Sequence, residues 1–146
     1  MKKRLLVTAI FFSITALTGC NLFNEVNDSL DYANEATEYI NTLSDFSSDL
    51  PQLMEEAAAN PEVEQQLNER LNHIETQVNE FIRMEPPAVA EDIHQQLVEH
   101  SQKIDQTIQQ VTNNGEVAIE KLESSQMAET IRNMTSLLNQ LENLGL

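Results

Sequence analysis

The sequence predicts an all-α protein: an antiparallel bundle of about four helices behind an N-terminal signal peptide. Three observations carry that prediction. Apolar residues recur at spacings of three and four along most of the chain, which marks one buried stripe per helix. Proline and glycine fall at the segment ends, where they are expected to stop or start helices. No stretch alternates with period two, so no sheet is expected.

The first element is not part of the bundle. Lys2, Lys3 and Arg4 form a cationic start, and Leu5 to Ala16 is an apolar run of about twelve residues. That is the layout of a secretory signal, and the run is too short for a spanning helix. Residues 1–19 are therefore expected to be removed, leaving residues 20–146 as one domain. Removal takes away the only three cations before Arg70. The remaining 127 residues hold five Lys+Arg against 24 Asp+Glu, a formal charge of −19. Nucleic-acid binding is built on cationic neutralisation of phosphate, so no nucleic-acid partner is expected. An anionic bilayer would repel the body, so attachment must come from elsewhere.

Cys20 is the single cysteine. No disulfide is available, and the domain must fold by packing alone. The stretch Leu17-Thr18-Gly19-Cys20 resembles the lipobox of bacterial lipoproteins. That resemblance implies cleavage before Cys20 and a diacylglycerol, with palmitate-type chains, on its thiol. One acyl chain gives only marginal membrane binding, whereas two anchor stably. The expected partner at Cys20 is thus the membrane.

The first helix is expected over about Asn24 to Asp49, with Val26, Leu30, Ala33, Ala36, Ile40, Leu43 and Leu50 as its apolar stripe. Pro51 is expected to stop it. Tyr32, Tyr39 and Phe46 follow at intervals of seven along one edge. They suit packing on a neighbouring helix with hydroxyls in water, or alternatively a ridge for a partner. Pro51 to Ala59 reads as a short helical piece or turn. Asn60-Pro61-Glu62 is a helix start: a capping Asn, then Pro, then acid. The second helix should reach about Met84, with Val63, Leu67, Leu71, Ile74, Val78 and Phe81 buried.

Pro86-Pro87 forces a break. The third helix is expected over Ala88 to Asn113, along Ile93, Leu97, His100, Ile104, Ile108 and Val111. Asn114-Gly115 should end it. A short helix is expected over Glu116 to Glu123, and a last one over Gln126 to Asn143 with Met127, Ile131, Met134, Leu138 and Leu141 inward. The methionine and aromatic positions read as core filling, and no cofactor is expected.

Few constellations carry chemistry. Glu91-Asp92-Ile93-His94 holds one Glu-x-x-His step, but a di-iron bundle needs two, and no metal site is expected. His100 occupies a seam slot and is the candidate for a pH-sensitive group, because imidazole titrates near neutrality. His73 and His94 fall off the apolar faces and should be solvated. There is no Gly-x-Ser-x-Gly elbow, Gly-rich phosphate loop or His-Glu-x-x-His, so no catalytic residue is assigned and no enzyme is expected.

The acidic first helix is the main electrostatic feature. From Cys20 to Glu69 there are fifty residues and no Lys or Arg. Like charges three or four apart repel. Divalent cations or a basic protein partner would relieve them. Asp28, Glu35, Glu38 and Asp45, with Tyr32 and Tyr39, form the candidate partner face.

Taken with the lipobox, Asn24-Glu25-Val26-Asn27-Asp28-Ser29-Leu30-Asp31-Tyr32 and the helical remainder resemble the small all-helical lipoproteins of endospore-forming Gram-positive bacteria. That family has no assigned activity. The resemblance implies location, fold and one functional residue, the lipid-bearing Cys20. The reading is a lipoprotein on the outer face of the cytoplasmic membrane, structural or protein-binding in the envelope. Alternatives are a regulator or inhibitor docking through the acidic face, a ligand-binding lipoprotein serving a transporter, and an envelope enzyme.

Overall fold

The computed structural model of the chain describes residues 19–113 and 115–142, with side chains from Asn27 onward. Residues 1–18, nearly all of the expected signal peptide, lie outside that range, as do residues 114 and 143–146. Six α-helices, one 3-10 turn and one two-residue strand pair make up the described chain. The class is all-α.

The first helix, α1, runs Gly19–Ala57 and carries Pro51 inside it. The expected stop at Pro51 is wrong. Proline removes one backbone donor and crowds the preceding turn. Yet Leu50 and Ala57 are buried, and Leu53 and Met54 pack against the core. Continuing the helix keeps that stripe on its neighbour, and packing outweighs the lost hydrogen bond. Pro51 itself faces solvent.

Up to Leu50 the described buried positions of α1 are Ser29, Tyr32, Ala36, Tyr39, Leu43, Phe46 and Leu50, with Ile40 beside them. Their spacing alternates three and four, a heptad seam. The aromatic residues sit at its centre, not on its edge. Leu30, expected inside, is 40% exposed.

Helix α2 spans Pro61–Ile82. Asn60 caps it, its Oδ1 accepting from the Glu62 amide at 3.0 Å, and Pro61 occupies the first turn. Leu67, Leu71, Ile74, Val78 and Phe81 are buried as expected, with Val63 partly so. Pro86-Pro87 separates α2 from a 3-10 turn at Ala88–Ala90, and α3 follows over Glu91–Val111.

Beyond α3 the chain departs from expectation. Thr112–Asn113 (β1) pairs antiparallel with Glu116–Val117 (β2). The absence of any sheet is thus corrected to one minimal hairpin. Two residues per strand are too few to show a period. The signal was instead Asn114-Gly115, a pair suited to the primed turns of hairpins. Val117 is buried, and its amide donates to Asn68 Oδ1 at 2.8 Å, docking the hairpin on α2.

Gly115 sits at φ +86°, and a Cβ added there would meet nothing within 4 Å. Gly115→Ala should therefore cost about 1–2 kcal/mol from backbone strain alone. Urea denaturation checks this, and an unchanged midpoint would mean the turn relaxes freely.

Helix α4 is Ile119–Glu123. The expected last helix is split into α5, Met127–Thr135, and α6, Leu138–Glu142. At the break, Ser136 Oγ donates to the Asn133 carbonyl at 2.6 Å and Thr135 Oγ1 to that of Ile131 at 3.1 Å. Such side chains compete with the helical ladder. Met134, Leu137 and Leu141 stay buried across the break, while Leu138, expected inward, is half-buried.

The long helices form a square. α2 lies beside α1 and α3, and α5 packs between the other flanks of α1 and α3. α1 and α3 face each other across the diagonal. Tyr32 meets His94 and Tyr39 meets Ser101, both with the same offset of 62 residues, so the two helices run parallel. Asp49 pairs with Arg70, and Tyr39 with Phe81, so α2 runs antiparallel to α1.

Candidate functional site

Two features concentrate polar chemistry: a buried diagonal inside the bundle and an acidic furrow outside it.

The diagonal begins at His94. This residue was expected in solvent but is only 9% exposed. Its Nδ1 lies 3.1 Å from the Tyr32 hydroxyl. The ring is edge-on to Tyr32 at 5.7 Å between centroids, and 5.3 Å from Phe81. Phe81 in turn stacks on Tyr39 at 4.3 Å and 10°. One heptad along, the Tyr39 hydroxyl lies 2.8 Å from Ser101 Oγ, which also donates to the Leu97 carbonyl. Burial raises both tyrosines well above the ordinary phenol range. It lowers His94, because a charged imidazole there would lose its water.

Ser101, fully buried, takes the seam slot expected for His100. Both lie near one face, but Ser101 follows Leu97 by a full turn and leaves room for the Tyr39 ring. His100 is half-buried, and its Nδ1 is enclosed without a hydrogen-bond partner. Burial lowers its pKa first, then Lys103, while Glu99 opposes them.

This burial removes Tyr32 from the candidate partner face. Its hydroxyl does not reach out to a partner or to water; it is held inside. Tyr39 is 5% exposed, so it contributes only to the floor of a surface groove.

That groove is the furrow between α1 and α2. Three successive hollows follow it. The first is lined by Glu35, Glu38, Tyr39, Glu80, Phe81 and Met84 among others. The second holds Asp45, Phe46, Asp49, Arg70, His73 and Ile74. The third shares Asp49 and Arg70 and adds Leu53 and Glu56. From Glu35 to Glu56 the furrow follows α1 for about 30 Å, at 1.5 Å per residue.

Of the acidic candidates, Glu35, Glu38 and Asp45 are brought to this furrow. Asp28 is exposed but lines none of the three hollows. Glu80, on α2, was not singled out from sequence, since only the helix pairing places it opposite Glu35 and Glu38. The one guanidinium in the furrow, Arg70, binds Asp49 at 2.8 Å. Both side chains are about half exposed.

Among the described residues, no three His, Cys, Asp or Glu side chains gather to hold a metal ion. The buried polar side chains there are Ser29, His94 and Ser101, with no carboxylate among them. No helix among the described residues is long and apolar enough to cross a membrane. Cys20 falls in the first turn of α1; its side chain lies outside the described range.

A small helical bundle, with no metal-ligand cluster among its described residues, defines a class before it defines a protein. Residues 32–144 match a Family of unknown function (DUF6376), and the chain belongs to that family. It is 29% identical over 130 residues to the Uncharacterized lipoprotein YybP of Bacillus subtilis (strain 168). The match covers 87% of this chain and 88% of that protein. The resemblance to small lipoproteins without assigned activity therefore holds, and the chain is a lipoprotein. No solved structure matches it.

Proposed function

We propose that the chain is a protein-binding component of the cell envelope, held on the outer face of the cytoplasmic membrane by acyl chains on Cys20. It engages a basic protein partner along the α1/α2 furrow. It has no catalytic role in this reading.

The observation that supports the docking half is the convergence of Glu35, Glu38, Asp45 and Glu80 on one groove with an aromatic floor. Arg70 offsets them only toward the far end. Complementary charge mainly sets encounter rate and orientation, while apolar floor contacts hold the partner.

The test is crosslinking on intact cells, comparing wild type with Glu35→Gln, Glu38→Gln and Asp45→Asn combined. The wild type should capture a partner that the triple variant loses. The variant should be no less stable, since Glu35 and Glu38 repel at three residues' separation. Capture of the same partners by both proteins would refute docking at this furrow.

A further inference from the structure

Of the three histidines, His94 alone joins two long helices through its ring nitrogen. We propose that the Tyr32–His94 contact is an acid-sensitive latch: protonation of His94 loosens α1 from α3 at the end of the bundle nearer Gly19. The neighbouring Tyr39–Ser101 contact, one heptad further on, does not respond.

The geometry carries this. The neutral ring sits between Tyr32 and Phe81 in the bundle interior. With Nδ1 unprotonated, the Tyr32 hydroxyl donates to it. Once Nδ1 takes a proton it can only donate. The Tyr32 hydroxyl must then turn round to accept, and its own proton needs a new acceptor. A net charge also appears where water is scarce, with no carboxylate in contact to balance it.

The surrounding charges lie outside. On α1 the neighbouring Asp28, Asp31 and Glu35 are exposed. On α2, Phe81 faces the ring while Glu80 and Arg83 are exposed. On α3, Glu91 and Asp92 are exposed; on α5 and α6, so are Glu129, Arg132 and Glu142. The resolved cause acting on His94 is burial, which lowers its pKa.

The sign follows from that direction. A histidine depressed in the folded state contributes its full stabilisation above the unfolded value of about 6.5. That contribution is lost as pH falls from there through the folded-state value. The acidic surface moves the other way, because protonating exposed carboxylates relieves repulsion. The two effects separate by location. Phe81 and Tyr39 also floor the first hollow of the furrow. Loosening the latch therefore alters that floor; this consequence rests on the docking reading, whereas the latch does not.

The test is amide hydrogen exchange on residues 20–146 at pH 7.5 and 5.0, corrected for intrinsic exchange rates. In the wild type, protection around Tyr32 and His94 should fall several-fold at pH 5.0 relative to the hairpin end. His94→Gln should abolish that difference. Ser101→Ala should lower protection by the same factor at both pH values. The wild-type imidazole, followed by NMR, should titrate below 6.5. The latch is overturned if His94→Gln retains the acid-dependent loss, if the wild type shows none, or if the imidazole titrates at or above 6.5.

Discussion

Cells producing Cys20→Ser should incorporate no labelled palmitate into this chain, and the chain should keep its unprocessed length. The thiol is the atom that would carry the diacylglycerol, and there is no second cysteine to substitute for it. Serine preserves size and polarity but offers no comparable nucleophile at neutral pH. The apolar stretch from Leu5 to Ala16 is too short to hold the chain across a bilayer by itself. On the proposed anchoring, firm attachment would depend on two acyl chains. The measurement is metabolic labelling with fractionation of the envelope. A variant that is still labelled and still firmly membrane-bound would end the Cys20 assignment.

The second large effect belongs to Phe81. Phe81→Ala should cost about 3–5 kcal/mol, the usual range for emptying an aromatic core position. Phe81 is 2% exposed, and its ring separates Tyr39 from His94. Deleting it removes a stacking partner and opens a space beside a buried hydrogen bond. Domains of this size are stable by only about 5–15 kcal/mol, so the loss is a large share of the total. Urea denaturation at pH 7.5 measures it. A cost below about 1 kcal/mol would show that α1 and α2 close over the gap, and that the stack contributes little.

The second helix was the most legible element, and the reason is physical. Its stripe is purely aliphatic apart from Phe81, and its start is marked by Asn60 and Pro61 together. Period and punctuation agree there. In α1 they conflict. Tyrosine reads as an edge residue because it carries a hydroxyl, yet Tyr32 and Tyr39 have hydroxyl partners across the bundle and so occupy its centre. No rule confined to one helix can find a partner 62 residues away. The same blindness put His94 outside and His100 inside. Swapping a solvated imidazole for a buried one needs the Tyr32 hydroxyl, which only the parallel diagonal supplies.

Pro51 was misread for a different reason. A local penalty was given more weight than Leu53, Met54 and Ala57, the core-facing residues beyond it. The hairpin at Asn114-Gly115 was visible as a turn but not as a strand pair, because two-residue strands have no periodicity. The acidic groove was half legible. Glu35, Glu38 and Asp45 share one side of α1 by spacing alone, whereas Glu80 joins them only through the antiparallel seating of α2.

Helix α1 is unbroken from Gly19 to Ala57, and its described core contacts start at Ser29. Eight helical residues lie between Cys20 and Ser29, and the nine steps between those two rise about 13 Å. The backbone over that stretch is helix, not a slack tether. Along such a helix residue count sets distance and direction together: each residue inserted or deleted between Cys20 and Ser29 should turn the furrow by about 100° around the helix axis relative to Cys20 and move it by about 1.5 Å. On the proposed anchoring at Cys20, that spacing decides which way the groove faces from the membrane.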